Sequence, residues 1–455
     1  MNVKRSVVFA GLTAAGAALA AALVLPLSSS TLSPIPVLFA DSLNCNLSQY
    51  KAAQGLTAAV EQDTLLVSWA GQNGAELRAR YAIDSAQPIV RDLAVKKAGG
   101  QWTSLGKNLT PEYHVVSGIR RMADDQGNTL KAAGIELTEE VINKNRWYAF
   151  WDSPLVMPGS QEMQDEAAWR RSQQREGGGG RGQAPAADAL IPNRTLGTPR
   201  TPSEIRRADS SFKTTSCSVK TDGASLVVTF PGLSMGIFAG DLQFTVYKGT
   251  NLVRMDAAAK TDEPWVAYKY DGGLKGFSTD LTPRVTWRDT GGHPQHHLFG
   301  GVVNTTLARV RAQNRMIVAE ATGGALAAFP PPHTFFFTRE KDTNLGFVWY
   351  RKDAEGKFGI GVGFPEREDE PRYVQNFALY NAPPGTVQKM GVYFYASPEA
   401  AEATRQSVLA FTHGDMFKPV PGYKTMVNHF HLRFTDRVRA SGSFDTPMQD
   451  LAAMK

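Results

Sequence analysis

Only two cysteines occur among the 455 residues, Cys45 and Cys217, so at most one intrachain disulfide can form. Their separation in sequence does not say whether they pair or remain free thiols, because pairing depends on distance in space. Long apolar stretches with helical period are also scarce, which argues against a helical bundle, while plentiful Gly, Pro and aromatic residues point to β structure. The charge balance is +6, from 49 Lys and Arg against 43 Asp and Glu. That excess is spread thinly and forms no basic patch interleaved with aromatics, so a nucleic-acid partner is not expected. It suits solubility or surface adhesion.

At the N-terminus, Lys4 and Arg5 precede an Ala/Val/Leu/Gly run from Val7 to Leu27, a Ser-rich stretch and Phe39-Ala40-Asp41. This order of basic, apolar and small-residue segments predicts an export signal over residues 1–40, and hence a secreted or periplasmic protein in which a disulfide is permitted. The many Ala and Gly make the run a weak membrane span, so membrane contact is expected only through an uncleaved N-terminal segment. Asn44, bulky and adjacent to Cys45, argues against a lipid anchor.

Four further segments follow. Residues 46–157 make a first β block. Leu65 to Trp69 has strand composition, Gly71-Gln72-Asn73-Gly74 is a turn, and Glu76 to Ile83 alternates polar with apolar, which together predict a hairpin with one wet face. Further strands are expected at Ile89 to Val95, His114 to Ile119 and Trp147 to Trp151, with one helical turn starting at Thr138. Residues 158–211, with Gly177 to Gly180 and a Pro/Ala/Thr-rich stretch, read as a disordered loop or linker. Residues 212–420 carry nine short strand patterns punctuated by Gly, Pro and Asp, which is the pattern of a large sandwich, and a helix over 398–413 that starts at Pro398.

The run Tyr247-Lys248-Gly249-Thr250-Asn251-Leu252-Val253-Arg254, within that many-stranded block, resembles the supersandwich of galactose mutarotase-like and polysaccharide-lyase proteins. The resemblance implies two large antiparallel sheets with a carbohydrate-facing surface. Over 421–455, His429-x-His431, a polar loop ending in Ser443-Phe444-Asp445, then Thr446-Pro447 and a helix from Met448 resemble the opening of the PHP (polymerase and histidinol phosphatase) superfamily of metal-dependent phosphoesterases. This implies a strand-helix fragment of a truncated (β/α) barrel, with His429 and His431 as ligands of a divalent metal, Zn, Mn or Fe. Two imidazoles on one strand face are an incomplete site, since a catalytic metal needs at least three protein ligands. The competing reading makes His429 and His431 ordinary strand residues beside a packed Phe430. Asp445 fits a helix N-cap better than a distant ligand.

In Gly291-Gly292-His293-Pro294-Gln295-His296-His297, three His fall within five positions of a Gly/Pro loop. Imidazoles there suit substrate contact, and His293, His296 and His297 are the candidate binding residues, although the spacing does not place all three on one centre. Phe335 to Phe337 and Trp265, Trp287 and Trp349 are stacking candidates on composition, with a packed role the commoner one for such residues. No catalytic residue is identifiable. The expected function is an exported carbohydrate-facing sandwich leading into an incomplete metal-dependent phosphoesterase domain, with a glycan or small phosphorylated substrate as partner. The alternative is a non-catalytic glycan-binding or scaffold module.

Overall fold

The computed structural model describes residues 43–119, 205–263, 266–300, 303–332, 345–353, 355–363, 380–415 and 434–453, with short stretches and single positions at 134, 136, 138–141, 164 and 422. Its first part consists of β1 (Cys45–Gln49), β2 (Leu56–Glu61), β3 (Thr64–Ala70), β4 (Glu76–Asp84), β5 (Gln87–Lys96) and the long β6 (Trp102–Ile119). Two short strands follow, β7 (Arg206–Asp209) and β8 (Ser211–Phe212). Then come β9 (Cys217–Thr221), β10 (Ser225–Met235), β11 (Phe238–Tyr247), β12 (Leu252–Lys260), β13 (Val266–Phe277), β14 (Arg284–Arg288) and β15 (Pro294–Leu298). The remaining strands are β16 (Asn304–Gln313), β17 (Ile317–Ala321), β18 (Gly324–Phe329), β19 (Leu345–Lys352), β20 (Phe358–Gly363), β21 (Tyr380–Ala382) and β22 (Gln388–Ser397). Three helices close the described chain: α1 (Ala401–Thr412), α2 (Phe434–Ser441) and α3 (Thr446–Ala453).

The strands form two 11-stranded sheets, so the protein is mainly β and a large sandwich. The first runs β1-β9-β10-β11-β12-β22-β18-β17-β14-β15, with β8 on β10. The second runs β16-β19-β20-β13-β6-β5-β4-β3-β2, with β21 on β13 and β7 on β6. Both sheets mix strands from the two sequence blocks, since β1 pairs with β9 and β6 pairs with β13. Residues 206–212 are therefore strands rather than the tail of a linker over 158–211. The rest of that segment, apart from Gln164 and Ile205, lies outside the described residues, as do Trp147 to Trp151 and Phe335 to Phe337.

Alternation explains which face each strand buries. In β3, Leu65, Val67 and Trp69 are buried while their neighbours are half-buried. Tyr81 of β4 meets Phe230 and Phe244 of the opposite sheet at ring-centroid distances of 6.1 and 4.9 Å. Each such side chain contributes roughly 1.5–3 kcal/mol on burial. Buried polar tips need partners, and they find them across the core. The Trp69 indole N–H donates to the Thr250 carbonyl at 2.9 Å, the Tyr113 hydroxyl to Met255 at 3.2 Å, and the Tyr270 hydroxyl to Gly391 at 3.0 Å.

Helix α1 lies on the outer face of the first sheet. Ala401 and Val408 pack there with Met316, Val318, Ala327, Phe329 and Tyr395. The strand before it ends at Ser397, so Pro398 precedes the helix instead of opening it. A left-handed His413 (φ 51°) and Gly414 (φ 73°) end it. Just beyond, the Asp415 carboxylate takes two hydrogen bonds of 2.7 Å from Arg315, and both side chains are 4% exposed.

Residues 434–441, expected as part of a polar loop, form α2, which Gly442 ends with φ 68°. Arg437, Arg439 and Ala440 are good helix formers, and nothing from Arg437 to Ala440 interrupts a turn. The Arg437 guanidinium grips Asp450 of α3 with two bonds of 2.6 Å. Asp445 stands just before α3, and its carbonyl accepts the Gln449 N–H at 3.0 Å.

Cys45 and Cys217 face each other in the β1–β9 register and form a disulfide, with Cα atoms 4.4 Å apart. The bond closes a span of 172 residues and fastens β1, at the sheet's edge, to β9. Replacing both with alanine should lower unfolding free energy by about 2–5 kcal/mol. Urea unfolding of the double variant against the parent checks this, and an unchanged midpoint and slope would show the crosslink to be dispensable.

Candidate functional site

The three histidines do not share a loop or a centre. Pro294 to Leu298 form the return strand of the β14–β15 hairpin. Its turn is organised by Asp289, whose carboxylate accepts N–H groups from Gly291 and His293 and the Gln295 amide, each at 2.9 Å. These bonds, that from His293 foremost, hold the Asp289 carboxyl below its usual range. Gly292, at φ 81°, completes the reversal. Because strand side chains alternate, His296 and His297 then point to opposite faces. His293 stays in the exposed turn.

His297 turns inward and stacks on Tyr350 of the second sheet, with centroids 4.7 Å apart and planes 25° apart. Burial, helped by the neighbouring His296, lowers its pKa and favours the neutral ring. His296 faces outward into a cleft of about 290 Å³ between the hairpin and the N-terminal turn of α1. Thr286, Arg284, Arg288 and Glu320 line it from the sheet, and Glu402 and Arg405 from the helix. Trp287 packs on Tyr350 at 5.7 Å and lends the cleft an edge. Among the described residues no cluster of three or more His, Cys, Asp or Glu is arranged to hold a metal. His429 and His431, the expected metal ligands, lie outside the described residues.

A second polar constellation, marked by no sequence motif, occupies the outer face of the other sheet. Alternation on β6 puts Glu112 and His114 outward, with Tyr113 buried between them. On β13, Lys269, Asp271 and Lys275 are outward and Tyr270 is inward. The adjacent β20 reads Gly359-Ile360-Gly361-Val362-Gly363, so its outward positions have no side chains. Over that bare strand the flanking residues meet. Arg309 of β16 binds Asp271 through both guanidinium nitrogens, one of them at 2.7 Å, and Arg351 of β19 binds Glu112 Oε1. The Trp349 ring lies flat across Gly273 and Gly361, where added Cβ atoms would stand 2.7 and 2.3 Å from its Cζ2. At Gly363 a Cβ would fall on the Asp271 carboxylate. Glycine is required there for the acid–base pairs to close. Trp349 is thus packed rather than offered for stacking.

The result is a glycine-floored trough in which Glu112 pairs with Arg351, Asp271 with Arg309, and Asp209 with His114 Nδ1 at 2.9 Å, with Lys269 and Lys275 on the same face. Among the described residues, Glu112 Oε2 is buried without a hydrogen-bond partner. Burial raises the Glu112 pKa, against the opposing charges of Arg351 and Lys275. The raised value in the folded chain means that the contribution of Glu112 to stability is fully present below the ordinary carboxyl range and is lost as pH rises through the raised value. Thermal melts from pH 4 to pH 8 should therefore show Glu112→Gln gaining on the parent as pH rises. A constant difference between the two chains across this range would contradict the assignment.

No known protein family matches the chain, and no curated protein matches it. Several solved structures superpose in part. The GH36 alpha-galactosidase AgaB from Geobacillus stearothermophilus gives a TM-score of 0.34 at 9% identity over 77% of this chain and 42% of its own. The GH36 alpha-galactosidase AgaA from the same organism, crystallised with raffinose, gives 0.28 at 12% identity over 42% of this chain and 26% of its own. A protein assigned as an aldose 1-epimerase from Klebsiella pneumoniae gives 0.28 at 9% identity over 84% of this chain and 98% of its own. The chain thus spans about a quarter of AgaA and less than half of AgaB.

Proposed function

We propose that this is an exported carbohydrate-binding sandwich and that the glycine-floored trough of the second sheet receives a neutral saccharide. The buried Oε2 of Glu112, without a hydrogen-bond partner among the described residues and beside the Arg351 guanidinium, carries this reading. Desolvated and unbonded, such an oxygen costs about 1–3 kcal/mol, a cost that a sugar hydroxyl would relieve once the side chains over it move aside. A sugar hydroxyl both donates and accepts, and the trough supplies carboxylate oxygens next to guanidinium N–H groups at two places, Glu112 with Arg351 and Asp271 with Arg309. The Cys45–Cys217 disulfide supports an oxidising compartment.

A phosphoesterase role is not part of this reading. Helix α2 stands where the opening of such a domain would have a loop.

Glycan-array screening of the full chain, followed by titration calorimetry with the best neutral oligosaccharide, tests the proposal. Glu112→Gln and Asp271→Asn should each weaken binding by tenfold or more, about 1.4 kcal/mol, while circular dichroism stays that of the parent. Unaltered affinity in both variants would place any sugar site elsewhere.

A further inference from the structure

The cleft between the β14–β15 hairpin and α1 differs from the trough in its charge count. It is lined by three arginines, Arg284, Arg288 and Arg405, against two glutamates, Glu320 and Glu402. Arg284 is matched by Glu320 at 2.5 Å and Arg288 by Glu402 at 2.7 Å. Arg405 is left with the same Glu402 at 4.0 Å and with the neutral Asn314 amide oxygen at 2.7 Å. Its side chain is 14% exposed, and burial lowers its pKa, with Glu402 opposing the shift and Arg288 adding to it.

Two further features bear on a ligand. The first turn of α1 has Ala400 at its N-cap, with no side chain bonded to the turn, and Ala400 and Ala401 form part of the cleft wall. The positive end of a 12-residue helix therefore opens into the same space as Arg405 and Arg288. His296 also faces that space, without a hydrogen-bond partner among the described residues. The volume, about 290 Å³, is at the small end of the roughly 300–1,000 Å³ of ligand pockets, so it suits one or two sugar rings. Met316, Val318 and the Trp287 edge give an apolar floor, and Thr286 and Gln295 give hydroxyl partners.

We infer that this cleft is a second binding site, selective for a saccharide carrying one carboxylate, a hexuronate residue, whose carboxylate is received by Arg405 and Arg288. A planar carboxylate matches the fork of a guanidinium, and a single negative charge matches the single surplus positive one. A dianion such as phosphate would crowd Glu402 and Glu320. The inference does not depend on the trough, which lies on the other sheet.

The test titrates the full chain by calorimetry at pH 7 and low salt with a disaccharide of one galacturonate and one galactose, with a neutral galactose disaccharide, and with inorganic phosphate. The singly charged uronate disaccharide should bind at least tenfold more tightly than either of the other two, and raising NaCl from 50 to 500 mM should weaken it several-fold. Arg405→Gln and Arg288→Gln should each weaken it at least tenfold. Because Arg405 also bonds Asn314, Arg288→Gln decides the matter should Arg405→Gln unfold. Arg80→Gln, which removes an exposed cation of β4 that belongs to neither site, should leave uronate binding unchanged, and a loss there would overturn the inference. Equal affinity for the neutral disaccharide, absence of uronate binding, phosphate binding as tightly as uronate, or insensitivity to Arg288→Gln would each overturn the inference.

Discussion

Ten consecutive residue pairs join β6 to β13, from Thr110 opposite Lys275 to Ile119 opposite Val266, and the architecture depends on them. The pairing links strands about 150 residues apart in sequence and sits in the middle of the second sheet. One set of backbone bonds serves two purposes here. Inward, it aims Tyr113, Tyr268 and Tyr270 at β12 and β22, where their hydroxyls find Met255, Gln388 and Gly391. Outward, it sets Glu112, His114, Lys269 and Asp271 on one surface. A slip of one residue would exchange the faces, burying charges in the core and leaving tyrosines in water. Core packing therefore fixes the geometry of the polar trough, and no separate device is needed to hold it.

The trough carries a cost that the core does not share. Glycine within a strand weakens it by roughly 0.5–1 kcal/mol relative to alanine, and β20 has three, at 359, 361 and 363. What they permit is the approach of Arg309 to Asp271 and the seating of Trp349 against Gly361. Ion pairs taken out of water are poor sources of stability, because desolvation offsets much of their attraction. A stretch of sheet that forgoes side chains in order to close such pairs fits recognition better than it fits folding.

Much of the sandwich was legible in sequence because its signal is local. Alternation over Leu65 to Trp69 and Glu76 to Ile83 marks β3 and β4 and the turn between them, and Pro and Gly punctuate β10 to β13. The helix after Ser397 also declares itself, through alanine-rich composition. What escaped was information held in distance. Cys45 and Cys217 become register partners only after β1 has joined β9, and no count of intervening residues contains that. Glu112, His114 and Asp271 belong to no motif in the sequence, since what distinguishes them is burial by neighbours from other parts of the chain. One signal was present and unused. Gly-x-Gly-x-Gly within an apolar strand clears a single face, and such clearing is a reason to ask what lies across it. The histidine cluster misled for the opposite reason. Its residues are adjacent in sequence, and strand alternation is what separates His296 from His297.

The placement of the hairpin cleft follows from a requirement at the sheet's edge. β15 is the last strand of the first sheet, and an edge exposes unpaired N–H and C=O groups that invite further strands. Pro294 removes one donor from that strand, and Gln295 and His296 put bulky polar groups on it. The hairpin is also joined to α1 through the Arg288–Glu402 pair. A helix held beside a hairpin by charged side chains, instead of packed flush by apolar ones, leaves a polar space between them. Arg405 projects into that space from the turn of α1 that follows Glu402, which already serves Arg288. The surplus charge of the cleft therefore arises from the way the edge is secured, and the cleft is polar for the same reason that it is open.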